Sequence, residues 1–225
     1  NDSLIGIAKD SWKDQSFMLY RLSEKQREKL LLPLGQKMKD EVKDFVRQCG
    51  YEEIANKRES FGLCFTNGKH YSEFLLEKYP ELKKLENGKV FNKNNQEIGT
   101  HKGYPFYTIG QYKGLNCEGK QYINKIIAEE NAIFVGEKSE CYFSTLRLNS
   151  LVFSQNIENI ELNTQYLTKI RGKDEGSFAT LREISSNHSI IEFSQRVFAP
   201  MQGQDVVVYD ENNFILFGGR IESFS

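Results

Sequence analysis

Long hydrophobic runs are missing from this sequence. Nowhere in its 225 residues do apolar positions approach the roughly 18 in succession that a membrane-crossing helix needs. The first ten residues, Asn1 to Asp10, hold no basic stretch followed by an apolar core, so they do not form a secretory signal. The chain also opens without a Met, as a piece trimmed from a longer protein would. Cysteine is scarce: Cys49, Cys64, Cys117 and Cys141 form no C-x-x-C pair and fit no zinc spacing. With no export signal these are expected to be reduced thiols in the cytoplasm. The three histidines, His70, His101 and His188, stand singly, so no metal site is expected. Net charge is nearly absent too, with 30 Lys and Arg against 31 Asp and Glu. A polyanionic partner is therefore not announced by overall charge and would have to bind through local patches or another domain. There is no internal repeat and no low-complexity stretch.

What is present builds cores. Apolar residues make up 39% of the chain, charged residues 27% and aromatics 12%, a mixture too aromatic and too balanced in charge for disorder. The length suits two small domains or one large one. The first third reads as helical. Ser23 to Gln26 has the form of a capping box. Met38, Val42, Phe45, Val46 and Cys49 fall on one helical stripe that stops at Gly50, which makes Cys49 a core residue of that stripe. A short helix is expected from His70 to Tyr79, ending at Pro80. Lys89–Phe91 and Glu97–Gly99 flank an Asn-rich hairpin turn, and Gln121–Ala128 and Ala132–Val135 flank Glu129-Glu130-Asn131, another hairpin. From about Tyr142 onward the chain is strand and turn. Phe178–Ile184 is set against Ser189–Phe193, and Asp205–Tyr209 against Phe214–Phe217, a spacing that suggests a small antiparallel barrel.

Two strings are more specific than any of this. Residues 99–115 read GTHKGYPFYTIGQYKGL, which resembles the G-x-H-x-G-x-x-x-Y-T-[IL]-G-Q-R-K-G-L signature of the bacterial and mitochondrial tRNA 2-thiouridylases, with Tyr112 in place of the usual Arg. Residues 59–65, ESFGLCF, are similar to that family's D-S-x-G-[IL]-C-F, with Glu59 in place of Asp. Weaker matches run along the rest: Lys13-Asp14-Gln15-Ser16 with Leu19 to Leu22, Pro33 to Gly35 with Lys39, Glu41 and Val42, and near the end Gln195-Arg196, Pro200, Gly203-Gln204 and Gly218-Gly219. Gln202 sits where the family often has Pro. No generic physical constraint requires the 17-residue string, and the resemblance covers nearly the whole chain.

The resemblance implies an α+β protein in three parts. Residues 1–68 would be the helical end of a truncated nucleotide-binding domain, 69–135 a small mixed central domain, and 136–225 a C-terminal antiparallel β-barrel. It implies 2-thiolation of the wobble uridine, position 34, of tRNAs for Lys, Glu and Gln. In that reaction ATP with magnesium adenylates O2, and a cysteine persulfide then delivers sulfur to C2. The sulfur would come from a donor such as a cysteine desulfurase or a relay protein, and no membrane is involved. The S-G-G-x-D-S phosphate loop and the first catalytic cysteine of the family do not occur here, so this piece by itself is expected to bind no ATP and to be inactive.

Cys64 is the residue onto which the persulfide role carries over. Gly62 allows close backbone approach, and Lys57 and Arg58 could favour the thiolate. Local sequence alone fits a small core residue between Leu63 and Phe65 at least as well. Cys117 and Cys141 read as ordinary thiols. His101 reads as a maker of structural hydrogen bonds in a loop set by Gly99 and Gly103, with a general base as the alternative. Tyr104, Phe106, Tyr107 and Tyr112 either pack the central domain or stack on bases. For tRNA contacts the resemblance points to Lys13, Asp14, Gln15, Arg171, Gly172 and Gln204. For Lys169, Arg171 and Lys173 the alternative is a solvated strand end. Two other classes stay open: a non-enzymatic RNA-binding β-barrel module, and a bare sulfur carrier.

Overall fold

The computed structural model describes residues 3–57 and 68–225, in two compact units. One joins the chain up to Lys57 to Phe143–Ser225, and the other lies within Arg58–Tyr142. The first segment has little helix before residue 39, only α1 (Ser16–Leu19) and α2 (Glu24–Arg27). The capping pattern opens α2, where Gln26 Oε1 accepts from the Ser23 amide at 2.9 Å and from Ser23 Oγ at 3.0 Å. Helix α3 (Lys39–Gln48) follows the expected stripe. Glu41 reaches back to the Met38 amide at 2.8 Å, Asp40 and Glu41 sit in the first turn, and Arg47 sits in the last. Gly50, at φ +84°, ends it. The expectation that the stripe forms core is corrected. Helix α3 buries no residue, Phe45 is 65% exposed and Cys49 is exposed. The period fixes which face is apolar, but that face is only partly covered: Val42 and Val46 are half-buried while Phe45 and Cys49 stay exposed. Helix α4 (Glu52–Asn56) closes the segment.

The second unit begins with α5 (Tyr71–Lys78), where His70 Nδ1 accepts from the Ser72 amide and pairs with its hydroxyl at 2.8 Å. Pro80 starts the 3₁₀ turn that follows. The sheet holds β1 (Gly88–Phe91), β2 (Glu97–His101), β3 (Asn116–Cys117), β4 (Tyr122–Ile127) and β5 (Ala132–Gly136), in the order β3-β2-β1-β5-β4. The two hairpins read from the sequence are β1–β2 and β4–β5. In the first, Asn92 Oδ1 accepts from the Asn94 and Gln96 amides, and Asn95 supplies the positive φ. The parallel pairing of β1 with β5, Val90 opposite Ile133, joins the hairpins into one mixed sheet over Val90, Ile123, Ile133 and Val135.

Strands β6 (Tyr142–Phe153), β7 (Gln165–Lys169), β8 (Ser177–Ile184), β9 (His188–Phe198), β10 (Asp205–Tyr209) and β11 (Ile215–Phe224) close into a barrel ordered β10-β11-β6-β9-β8-β7. Strand β10 shows why its sequence is apolar without alternation. Val206 and Val208 join the barrel interior with Leu146, Leu148, Leu181 and Ile191, while Val207 and Tyr209 face a second cluster with Ile5, Phe17 and Tyr20. The chain before residue 22 is therefore a strap on the barrel wall. Ile7 donates to the Asn213 carbonyl and Ile215 to that of Ile5, each at 2.9 Å. Arg27 clamps the carbonyls of Ser3, Leu22 and Ser154. The Tyr20 ring lies on Gly218, where any Cβ would collide with it.

Candidate functional site

A turn at Asp10–Lys13 makes the strap present its residues on two sides. Trp12, Lys13, Gln15 and Met18 point outward, while Asp14, Ser16, Phe17 and Tyr20 are buried. Asp14 is fully engaged. Its Oδ1 accepts from the Ala8 and Ser16 amides, each at 3.1 Å, and its Oδ2 accepts from Lys169 Nζ at 2.8 Å and Ser16 Oγ at 2.9 Å. The Asp14 and Lys169 side chains are 1% and 4% exposed. Lys169 is therefore no solvated strand end: its ammonium lies inside, 5.6 Å from the Tyr209 ring centre. Burial pushes the Asp14 carboxyl up, but the Lys169 hydrogen bond and the two amides outweigh it and hold it below the ordinary carboxylate value. Burial pushes the Tyr209 phenol up, so it stays protonated beside Ser16 Oγ at 3.0 Å.

Beyond Lys169 the chain turns into a groove of about 400 Å³ between residues 170–177 and the end of β9. Arg171, Lys173 and Arg196 line it against one carboxylate, Asp174, with Gln195 beside them. Arg171 is half-buried, and its Nη2 donates to the carbonyls of Phe198 and Ala199. Ala199 is buried at φ +52°, a conformation a non-glycine residue rarely adopts, and Arg171 ties it down. A Cβ at Gly172 would meet Phe17 and Met18 of the strap at ordinary contact distance, so the Arg171–Gly172 turn lies close to the strap just past Gln15. Gln204 lies apart from the groove lining. Its main chain ties to Met201 and Ile221, and its buried Oε1 has no hydrogen-bond partner among the described residues. In the sequence Gln195 and Arg196 are only family matches; that they line a groove depends on how β9 runs.

In the second unit His101 is 3% exposed. Its Nδ1 accepts from the Gly103 amide at 3.0 Å and its Nε2 pairs with the Asn131 carbonyl at 3.1 Å, which fits one neutral tautomer. Burial lowers its pKa below the ordinary value despite both bonds. Gly88 has no Cβ, and one there would collide with the ring. Burial raises the Cys117 and Cys141 thiols, and Cys141 Sγ donates to the Ile123 carbonyl at 3.3 Å, so both are held protonated. Cys64 lies outside the described residues.

An α+β chain with a strapped six-stranded barrel and a cationic groove, and a separate five-stranded mixed sheet, is the class these observations define. A family model described as "tRNA methyl transferase HUP domain" matches residues 1–68, and one described as "tRNA methyl transferase PRC-barrel domain" matches residues 72–137, the part that holds the five-stranded sheet. The chain is 34% identical over 223 residues to a tRNA-specific 2-thiouridylase MnmA of Chlorobium phaeobacteroides, covering 96% of this chain and 60% of that protein. It is 35% identical to the protein so named from Chlorobium chlorochromatii, covering 95% and 59%, and 33% identical to that of Petrotoga mobilis, covering 94% and 57%. The chain belongs to the tRNA-specific 2-thiouridylase family. It spans about 60% of the length of the curated relatives it matches.

Proposed function

We propose that this chain is part of an enzyme that replaces O2 of the wobble uridine of tRNA with sulfur. The observation that carries this reading is the identity to 2-thiouridylases along nearly all of the chain, a stretch that includes the Cys64 string. The family models carry the words "methyl transferase", but the relatives named above are thiouridylases, and a thiol in a D-S-x-G-[IL]-C-F-like string suits sulfur transfer.

In the proposed reaction uridine O2 attacks the α-phosphorus of ATP, and pyrophosphate leaves. This turns a poor leaving group into AMP. The terminal sulfur of a Cys64 persulfide attacks C2, and AMP departs. The S–S bond of the persulfide then breaks as a second cysteine thiolate takes the Cys64 sulfur into a disulfide, leaving the transferred sulfur on C2. Magnesium would neutralise the phosphates. ATP, the cytoplasmic setting, tRNAs for Lys, Glu and Gln, and a cysteine desulfurase or relay protein as sulfur source all belong to this proposal.

On the barrel unit, Lys13 and Gln15 of the strap, with Arg171, Lys173 and Arg196 of the groove, hold the RNA backbone. Asp14 and Lys169 do not touch RNA; they fix the turns that present those residues. Filter binding of tRNA to this chain across a salt series tests the assignment. A few phosphate contacts give a slope of log affinity against log salt of roughly −2 to −4, and Arg196→Ala flattens it by about 0.7–0.9. A steep slope that neither Arg196→Ala nor Arg171→Ala changes would place the RNA surface elsewhere.

A further inference from the structure

The loop around Tyr112 in the second unit is built more firmly than its exposure requires. Gly110 donates to the Ile123 carbonyl at 2.7 Å, and Ile123 donates to that of Gln111 at 2.9 Å. Gln111 Nε2 bonds the Lys113 carbonyl and the Tyr107 hydroxyl bonds that of Gly114, both at 2.7 Å. Gly110 and Gly114, at φ +81° and +85°, make the bends. On this frame Tyr112 stands 42% exposed, its ring 5.4 Å from that of Tyr122 and tilted to it by 49°. Lys120 Nζ lies 4.7 Å from the Tyr112 ring centre and 5.6 Å from that of Tyr122, and Lys113 Nζ lies 5.7 Å from Tyr112. The neighbouring Tyr122 side chain raises the Lys120 pKa.

Residues 102–125 hold four lysines and one carboxylate, Glu118, in a chain whose net charge is −1. Exposed cation–π contacts contribute little to stability and order flexible lysines against their entropy, so the cluster is not what holds the sheet together. It combines what single-stranded nucleic-acid sites combine, a flat aromatic face and mobile cations beside it. Tyr112 stands where the resembled signature has Arg, and the two lysines keep positive charge at that position.

We propose that Tyr112, Tyr122, Lys113 and Lys120 form an RNA-contact surface on the second unit, with an unpaired base stacked on Tyr112 and adjacent phosphates paired with the two lysines. The proposal rests on the RNA reading above and adds a contact outside the barrel groove. The test is tRNA filter binding across salt with Lys113→Ala/Lys120→Ala, Tyr112→Ala and Tyr112→Phe, and with Arg196→Ala as the barrel reference. The double lysine variant is expected to flatten the slope by roughly 1–2 units. Tyr112→Ala should weaken binding by about fivefold or more at every salt concentration with the slope kept, and Tyr112→Phe should bind as the parent does. All four side chains are at the surface, and melting curves matching the parent verify folding. If Arg196→Ala weakens binding while the lysine and tyrosine variants bind as the parent, this surface is refuted and the barrel reading stands. If the parent chain binds no tRNA, both fall.

Discussion

Asp14 and Lys169 lie 155 positions apart in the chain and meet as a buried ion pair beneath the surface that carries Lys13 and Arg171. Such a pair costs desolvation on both sides, and here hydrogen bonds from Ala8, Ser16 and Lys169 fill every carboxylate site. Removing one partner leaves a buried charge alone. Lys169→Met is therefore expected to destabilise the barrel unit by about 3–5 kcal/mol in urea unfolding. The sign with pH follows from Asp14. Its folded pKa lies below the ordinary 3.8, so its contribution is complete above that value and is lost as pH falls through the folded pKa. A Lys169→Met protein as stable as the parent would mean that the ion pair does not hold the strap. None of this was legible in the string Lys13–Ser16, which reads as a family match with Lys13, Asp14 and Gln15 as tRNA contacts. Burial of Asp14 depends on a strand more than a hundred residues later.

Local elements were legible where a short-range rule decides them. The Ser23–Gln26 cap, the α3 stripe with its Gly50 stop, the Asn-rich turns and the hairpins of the barrel all follow from neighbours in sequence. The strap was not legible. Residues 3–22 hold apolar positions that fit no helix period, because they are spaced to meet Val207, Tyr209 and Ile215 on the barrel wall. The parallel β1–β5 pairing was hidden for the same reason, since it joins strands some forty residues apart. At this scale Gly218 is the sharpest test. The Tyr20 ring occupies the space a Cβ would need, so Gly218→Ala should lower stability by about 1–3 kcal/mol and loosen the strap. Urea unfolding gives the first, and faster hydrogen exchange at the Ile7 amide the second. Unchanged exchange there would argue against Tyr20 as the strap's anchor.

As a whole molecule the chain is nearly neutral, and its barrel strands carry more carboxylates than cations from residue 151 onward. RNA affinity in this account therefore comes from small cationic patches, the barrel groove and the Tyr112 loop, rather than from a general field. Leu31, Leu34, Phe45 and Ile54 are each more than half exposed, and the relatives are longer than this chain by about two fifths of their length. The proposed chemical step rests on the resemblance alone, because no spacing rule singles out Cys64. The central claim is that sulfur reaches the wobble uridine through Cys64, and nucleoside mass spectrometry of tRNA treated with the full-length protein, ATP and a persulfide donor tests it most directly. The account predicts 2-thiouridine with the parent, none with Cys64→Ser, and parent-level product with Cys117→Ser and Cys141→Ser. Thiolation by Cys64→Ser at the parent rate would contradict it.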